Sequence, residues 1–182
     1  IEGPSGIGKS CVVYKVFEEI GWGLGTHFHV KSCREHDAYQ VISEFLANAM
    51  AGETAIKALF ADDFHILTEE ERAEIGSRLK QLSDKTFEQE DTPKLILVGI
   101  PAAGSSILRN SQDLGPRLGI YRIHAADNRE IEKLIDDGEV ELNVLIEDHQ
   151  ILLSESAGNF WLAQFICNKI CAIAGIHETQ TD

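Results

Sequence analysis

With 182 residues, 43% of them hydrophobic and 25% charged, the chain has material for one sizeable core, or for a core with a smaller attached subdomain. A net charge of −14 and a pI near 4.8 argue against an extensive nucleic-acid surface, which needs clustered Lys and Arg. No apolar run approaches the roughly 20 residues that cross a bilayer, so a membrane span is excluded and the cytoplasm is the expected compartment.

After Ile1-Glu2 comes Gly3-Pro4-Ser5-Gly6-Ile7-Gly8-Lys9-Ser10, which fits G-x-x-x-x-G-K-[ST] at every fixed position. Glycines allow a tight turn whose N–H groups, from Gly6 to Ser10, face one concavity, and the following helix adds the positive end of its dipole. A polyphosphate fits such a cradle. Lys9 is expected to reach the β- and γ-phosphates, and the Ser10 hydroxyl to take one place around Mg²⁺. The alternative is a Gly-rich turn capping an ordinary helix. It is the weaker one, because the pattern arises by chance in roughly one chain per hundred of this length. A helix also follows, as the motif requires: Val12, Val13, Val16, Phe17 and Ile20 share one helical face. This loop ordinarily follows a strand of about five residues, so missing upstream residues and a larger parent polypeptide are expected.

Gly21 to Gly25 reads as a connector. Thr26–Ser32 is β-prone, with His27 and His29 on one face; a metal pair there would need a third ligand that the neighbourhood lacks. An amphipathic helix is expected from Asp37, a candidate N-cap, to Met50, with Val41, Ile42, Phe45, Leu46 and Ala49 inward. Then Ala58-Leu59-Phe60-Ala61-Asp62-Asp63-Phe64-His65 suits a buried parallel strand that delivers carboxylates at its C-terminal edge, a Walker B element. Asp62 would hold the Mg²⁺ and Asp63 would polarise the attacking water. Acidic pairs also occur as turn or cap signals, but Lys9 and Asp63 leave room between them for the helix, strand and helix just traced.

Thr68-Glu69-Glu70-Glu71 is a capping box opening a helix with Ile75, Leu79 and Leu82 inward, followed by a polar loop over 83–93. Lys94–Ile100 reads as the clearest buried strand, ended by Pro101. A polar γ-phosphate sensor is absent from its tip or supplied by Ser105 or Ser106. In Leu114–Ile123, Arg117 stands before a last strand where it could face a γ-phosphate, or be a solvated strand-start residue; Arg122 alternates with apolar neighbours and is the weaker candidate. From Asn128 the pattern is helices only. One carries Ile131, Leu134 and Ile135, a second spans Leu142–Ser156, and a third, Phe160–Ile173, is apolar on nearly every side and expected to be buried, Trp161 included. Cys11, Cys33, Cys167 and Cys171 lack C-x-x-C spacing, which favours reduced, buried thiols over disulfides or zinc.

With these elements in this order, nearly the whole chain resembles the nucleotide-binding core of AAA+ and STAND-type P-loop ATPases. The resemblance implies an α/β fold: a P-loop NTPase three-layer α-β-α sandwich with a parallel sheet over residues 1–126, its first strand truncated, then a small helical lid subdomain over 127–182. It implies ATP and Mg²⁺ as ligands. The nucleotide would be held by Gly3, Pro4, Ser5, Gly6, Ile7, Gly8, Lys9, Ser10 and Cys11, the metal by Ser10 and Asp62, and catalysis would fall to Lys9, Asp63 and Arg117. Position 63 is Asp where AAA+ proteins more often have Glu, the sensor residue is not plain, and Trp161 stands near the place of the lid arginine. These departures suit a switch of low turnover inside a larger protein, binding ATP or ADP, joined to further domains and able to form a homo-oligomer on activation. Competing readings are a DNA-handling AAA+ accessory ATPase of the transposition or origin-loading type, a non-hydrolysing nucleotide-binding scaffold, and a P-loop small-molecule kinase, which would need a basic lid where this tail is acidic and apolar.

Overall fold

The computed structural model describes residues 1–85, 92–101, 115 and 118–180. The chain divides into two units, one of Ile1–Gly3 with Lys9–Arg122 and one of Pro4–Gly8 with Ile123–Asp182.

The first unit holds helix α1 (Lys9–Glu19), strand β1 (Phe28–Ser32), helix α2 (Ala38–Ala51), strand β2 (Ala58–Asp62), a single 3₁₀ turn (Phe64–Ile66), helix α3 (Glu69–Lys85) and strand β3 (Lys94–Leu97). The three strands are parallel in the order β1-β2-β3, with Phe28 opposite Ala58 and Ala58 opposite Lys94. Beyond β3, Glu2 bridges Gly99 on one side and Arg122 on the other, both in parallel. The Glu2 N–H donates to Tyr121 O at 2.9 Å and the Gly99 N–H to Ile1 O at 3.1 Å. The segment leading into the G-x-x-x-x-G-K-S motif is thereby inserted in the sheet plane, between the tip of β3 and Arg122.

β2 is apolar at every core position because both of its faces are covered. Ala58 and Phe60 pack with Val13 and Phe17 of α1, Phe28 and Val98; Leu59 and Ala61 pack with Ile42 and Leu46 of α2 and Ile75 of α3. Alternation along one strand thus serves two helical layers, an α-β-α arrangement within this unit. The capping box at α3 forms in full: the Thr68 N–H donates to Glu71 Oε2 at 2.8 Å and the Glu71 N–H to Thr68 Oγ1 at 3.2 Å.

Several expectations need correction. On α1 only Val13 and Phe17 are buried; Val12 and Val16 are 44% and 48% exposed, and Ile20, just past its end, 53%, so the covered stripe is narrower than the apolar one. Asp37 occupies the N-cap position of α2 without capping it, because its carboxylate pairs with Lys31 Nζ at 2.6 Å. α3 extends to Lys85, into the stretch read as loop. β3 ends at Leu97, and its Leu95, Ile96 and Leu97 are only half-buried, whereas Val98 beyond it is fully buried.

The second unit contains α4 (Asn128–Leu142), α5 (His149–Ser156) and α6 (Phe160–Ile173). α4 opens on a capping box, Glu130 N–H to Asp127 Oδ1 at 2.9 Å and Asp127 N–H to Glu130 Oε2 at 2.9 Å. Ile131 and Ile135 of α4, Leu152 and Leu153 of α5 and Ala163 of α6 form its core. The middle helix starts seven residues later than read, because Asn143 in the left-handed conformation ends α4 and starts a loop. A side chain at Gly158 would be strained: its φ is +75° and a Cβ there would lie 2.3 Å from Ala126 O, so the backbone would have to shift. α6 is not buried on all sides. Ala163 and Cys171 are covered, but Trp161 is 60% and Ile173 87% exposed, and Trp161 stacks on Phe165 with ring centroids 5.3 Å apart. The aromatic pair shelters itself on the helix surface, one turn apart. Among the described residues no helix is long and apolar enough to cross a membrane.

Candidate nucleotide site

Parallel register aligns the C-terminal ends of β1 and β2, with Ser32 opposite Asp62, and the Cys33 N–H continues the ladder by donating to Asp62 O at 2.8 Å. Ser10, in the first turn of α1, donates its hydroxyl to Asp62 Oδ2 at 2.6 Å, while Asp62 Oδ1 accepts the Asp63 N–H at 2.8 Å. Both carboxylate oxygens are thus fixed, one by a hydroxyl and one by backbone. Asp63 itself leaves the strand in the left-handed conformation, φ 55° and ψ 35°, which Asp tolerates better than most residues. That turn swings its side chain away from Asp62 to meet Arg34, whose Nε donates to Asp63 Oδ2 at 2.5 Å. The pairing raises the Arg34 guanidinium above its already high range.

Lys9 begins α1 and its ammonium donates to Gly3 O at 3.0 Å, across the mouth of the loop it closes. Burial lowers the affinity of Lys9 for its proton, and the nearby Asp62 and Asp63 carboxylates oppose that shift. Cys33, buried behind the two carboxylates, has its thiol pushed up to about 12, first by burial and then by Asp62 and Asp63. Cys11 is exposed, contrary to the expectation of buried thiols; all four cysteines are free.

Within the second unit, the loop residues Pro4–Gly8 lie against the start of α6. Gly6 and Gly8 have φ of +79° and +86°. Asn159 caps α6 by accepting the Leu162 N–H at 3.0 Å on Oδ1, and its Nδ2 donates to Ser5 O at 2.9 Å. The Trp161 N–H, one of the first-turn donors that a helix leaves without an internal partner, donates to Gly6 O at 3.0 Å. A Cβ on Gly6 would stand 2.4 Å from Asn159 Oδ1. The motif pattern fixes Gly3 and Gly8; packing makes Gly6 as demanding as either.

Of the residues singled out from sequence, Lys9, Ser10, Asp62 and Asp63 gather in the first unit. Arg117, Ser105 and Ser106 lie outside the described residues. Arg122 is occupied by Glu2, Nε to Oε1 at 2.6 Å. Two residues escaped the sequence reading. Arg34 lies in a turn with no pattern of its own, and only the Ser32–Asp62 register could have pointed to it. Asn159 was legible as an N-cap before an apolar helix, though not its second bond to Ser5.

No protein-family model matches the chain, and no curated protein matches it. Solved structures share its fold. A DNA replication initiation factor superposes with a TM-score of 0.57 at 18% identity over 95% of this chain and 53% of its own. The AMPPCP-bound DnaA of Aquifex aeolicus superposes at 0.56 and 17% identity, over 95% of this chain and 54% of its own. The chain therefore spans about half the length of these structures, and at such identities the likeness is one of fold.

Proposed function

We propose that the chain is an AAA+/STAND-like nucleotide-binding domain in which Gly3–Ser10 cradles the phosphates of ATP and the end of β2 supplies the carboxylates. The observation that carries this reading is the 2.6 Å contact of Ser10 Oγ with Asp62 Oδ2, which joins the last residue of the G-x-x-x-x-G-K-S pattern to the acidic tip of a buried parallel strand. A hydroxyl and a carboxylate oxygen side by side are hard oxygen donors, and they fit Mg²⁺. Ser10 and Asp62 would hold that ion, which neutralises charge on the polyphosphate when bound. Lys9 would bind the β- and γ-phosphates; its displacement from Gly3 O frees an ammonium already poised at the loop.

Asp63 is the general-base or water-orienting candidate, and Arg34 holds its carboxylate. Hydrolysis in this reading is slow, since Asp63 must give up that partner to face water, and the protein works as a switch. Residues 127–182 would act as the lid whose α6 touches the loop, and Arg117 as the finger. A bound AMPPCP in the DnaA neighbour supports a nucleotide as the ligand. The fold likeness to replication initiators favours a second reading, an origin-loading type of ATPase; the net charge of −14 weighs against broad DNA contact by this segment.

Titration with a fluorescent ATP analogue in Mg²⁺ tests the proposal. Lys9→Ala should abolish binding, and unchanged affinity would remove the phosphate-loop assignment. A parallel titration with double-stranded and single-stranded DNA separates the two readings: nucleotide-dependent DNA binding would favour the second.

A further inference from the structure

α4 and α5 carry a second cluster of ligating groups that the nucleotide reading does not use. Glu132, Asp136 and Glu139 recur on one face of α4, and His149 opens α5. His149 Nε2 lies 3.0 Å from Glu139 Oε1, and its Nδ1 lies 3.7 Å from Asp136 Oδ1. One ligand atom from each of Asp136, Glu139 and His149 can be chosen so that all three fall within 4.8 Å of one another. We propose that these three side chains form a binding site for a divalent transition metal of the zinc class, clipping the start of α5 to the last turns of α4.

Three features of the cluster carry this. The first is spacing: ligands at about 2.0–2.2 Å from a tetrahedral Zn²⁺ stand roughly 3–3.5 Å apart, and one ligand atom from each side chain already lies within 4.8 Å of the other two; Glu139 and Asp136 meet different ring nitrogens of His149, so a side chain must turn to bring both carboxylates to the nitrogen that binds the ion. The second is pre-orientation. The Glu139 side chain is only 12% exposed, and its Oε1 also accepts the Ile146 N–H at 2.6 Å, the kind of outer hydrogen bond that holds a ligating carboxylate in place. The third is charge. One imidazole, even when protonated, cannot balance Asp136 and Glu139 together, and Glu132 adds to the field; a divalent ion with a neutral imidazole balances both ligating carboxylates. Asp136, 59% exposed, leaves the site open to solvent for entry and for a fourth, water ligand. The mixed nitrogen and oxygen donor set selects the class: imidazole suits Zn²⁺, Co²⁺ or Ni²⁺, whereas Mg²⁺ and Ca²⁺ favour oxygens alone.

The test uses the whole chain carrying Asp62→Asn, so that the proposed nucleotide-site metal is removed from the count. Chelator-stripped protein is titrated with Zn²⁺ by calorimetry, and with Co²⁺ while its visible absorption is recorded. One Zn²⁺ per chain should bind, Mg²⁺ at the same concentration should give no comparable heat, and bound Co²⁺ should show the spectrum of a nitrogen and oxygen shell without thiolate charge transfer. His149→Ala and Asp136→Asn should each weaken Zn²⁺ by roughly tenfold or more. Asp136 is exposed, so its variant reads the site even if His149→Ala fails to fold. No binding, unchanged affinity in Asp136→Asn, or a thiolate spectrum pointing to Cys167 and Cys171 would each overturn the assignment.

Discussion

At the scale of single residues, the candidate site is a set of short polar contacts around Asp62 and Asp63, whose surroundings differ. Asp62 is held on both oxygens and faces Ser10, which suits a metal ligand; Asp63 is turned out by its left-handed backbone and held by Arg34. Asp63→Asn should therefore leave nucleotide binding intact while lowering the hydrolysis rate by a factor of about 100 or more, since the amide cannot take the water's proton. Phosphate release under saturating ATP measures this, and a wild-type rate would assign the role elsewhere. The thiols give an independent check on the surroundings of the site. Cys33, buried and pushed up to about 12 by burial and the two carboxylates, stays a protonated thiol at pH 8, whereas Cys11 is exposed on α1 beside Ser10. Iodoacetamide at pH 8 should label Cys11 first and leave Cys33 untouched, and ATP with Mg²⁺ should slow the Cys11 reaction; peptide mass spectrometry reads both. Equal labelling of the two would contradict the burial of Cys33.

At the scale of elements, α6 begins with a device that serves two structures through one side chain. Asn159 supplies its oxygen to the Leu162 N–H and its amide to Ser5 O, and the Trp161 N–H reaches Gly6 O, so orphan donors of the first helical turn are satisfied partly by the backbone of the Gly3–Ser10 loop. Asn159→Ala should cost about 2 kcal/mol, combining the loss of an N-cap with the loss of a hydrogen bond to the loop. Asn159→Asp keeps the capping oxygen and removes the donor, so it should recover roughly half of that loss. Urea denaturation of the two variants separates the contributions; an Asp variant no better than Ala would mean that the loop contact carries the whole effect.

At the scale of the molecule, Arg117 remains a proposal drawn from its position in the chain. If it acts in trans, specific ATPase activity should rise with protein concentration, and Arg117→Ala subunits mixed into wild type should depress it. Activity independent of concentration, with no inhibition on mixing, would leave Arg117 a structural or same-chain role. The sequence by itself determined what is local or periodic: the G-x-x-x-x-G-K-S loop, the buried run ending in Asp62-Asp63, the Thr68 capping box, and the switch from alternating strands and helices to helices alone. These are legible because backbone geometry and burial repeat over a few neighbouring residues. Tertiary structure decided what depends on which face is covered and which ends are level. Trp161 and Val16 are exposed although their helices are apolar, since hydrophobicity records the cost of exposure and not the partner that removes it. Arg34 meets Asp63 only because β1 and β2 pair in parallel with Ser32 opposite Asp62, and His149 meets Glu139 only because α5 folds back on α4. Such contacts join residues distant in the chain through register and packing, which no short window of residues encodes.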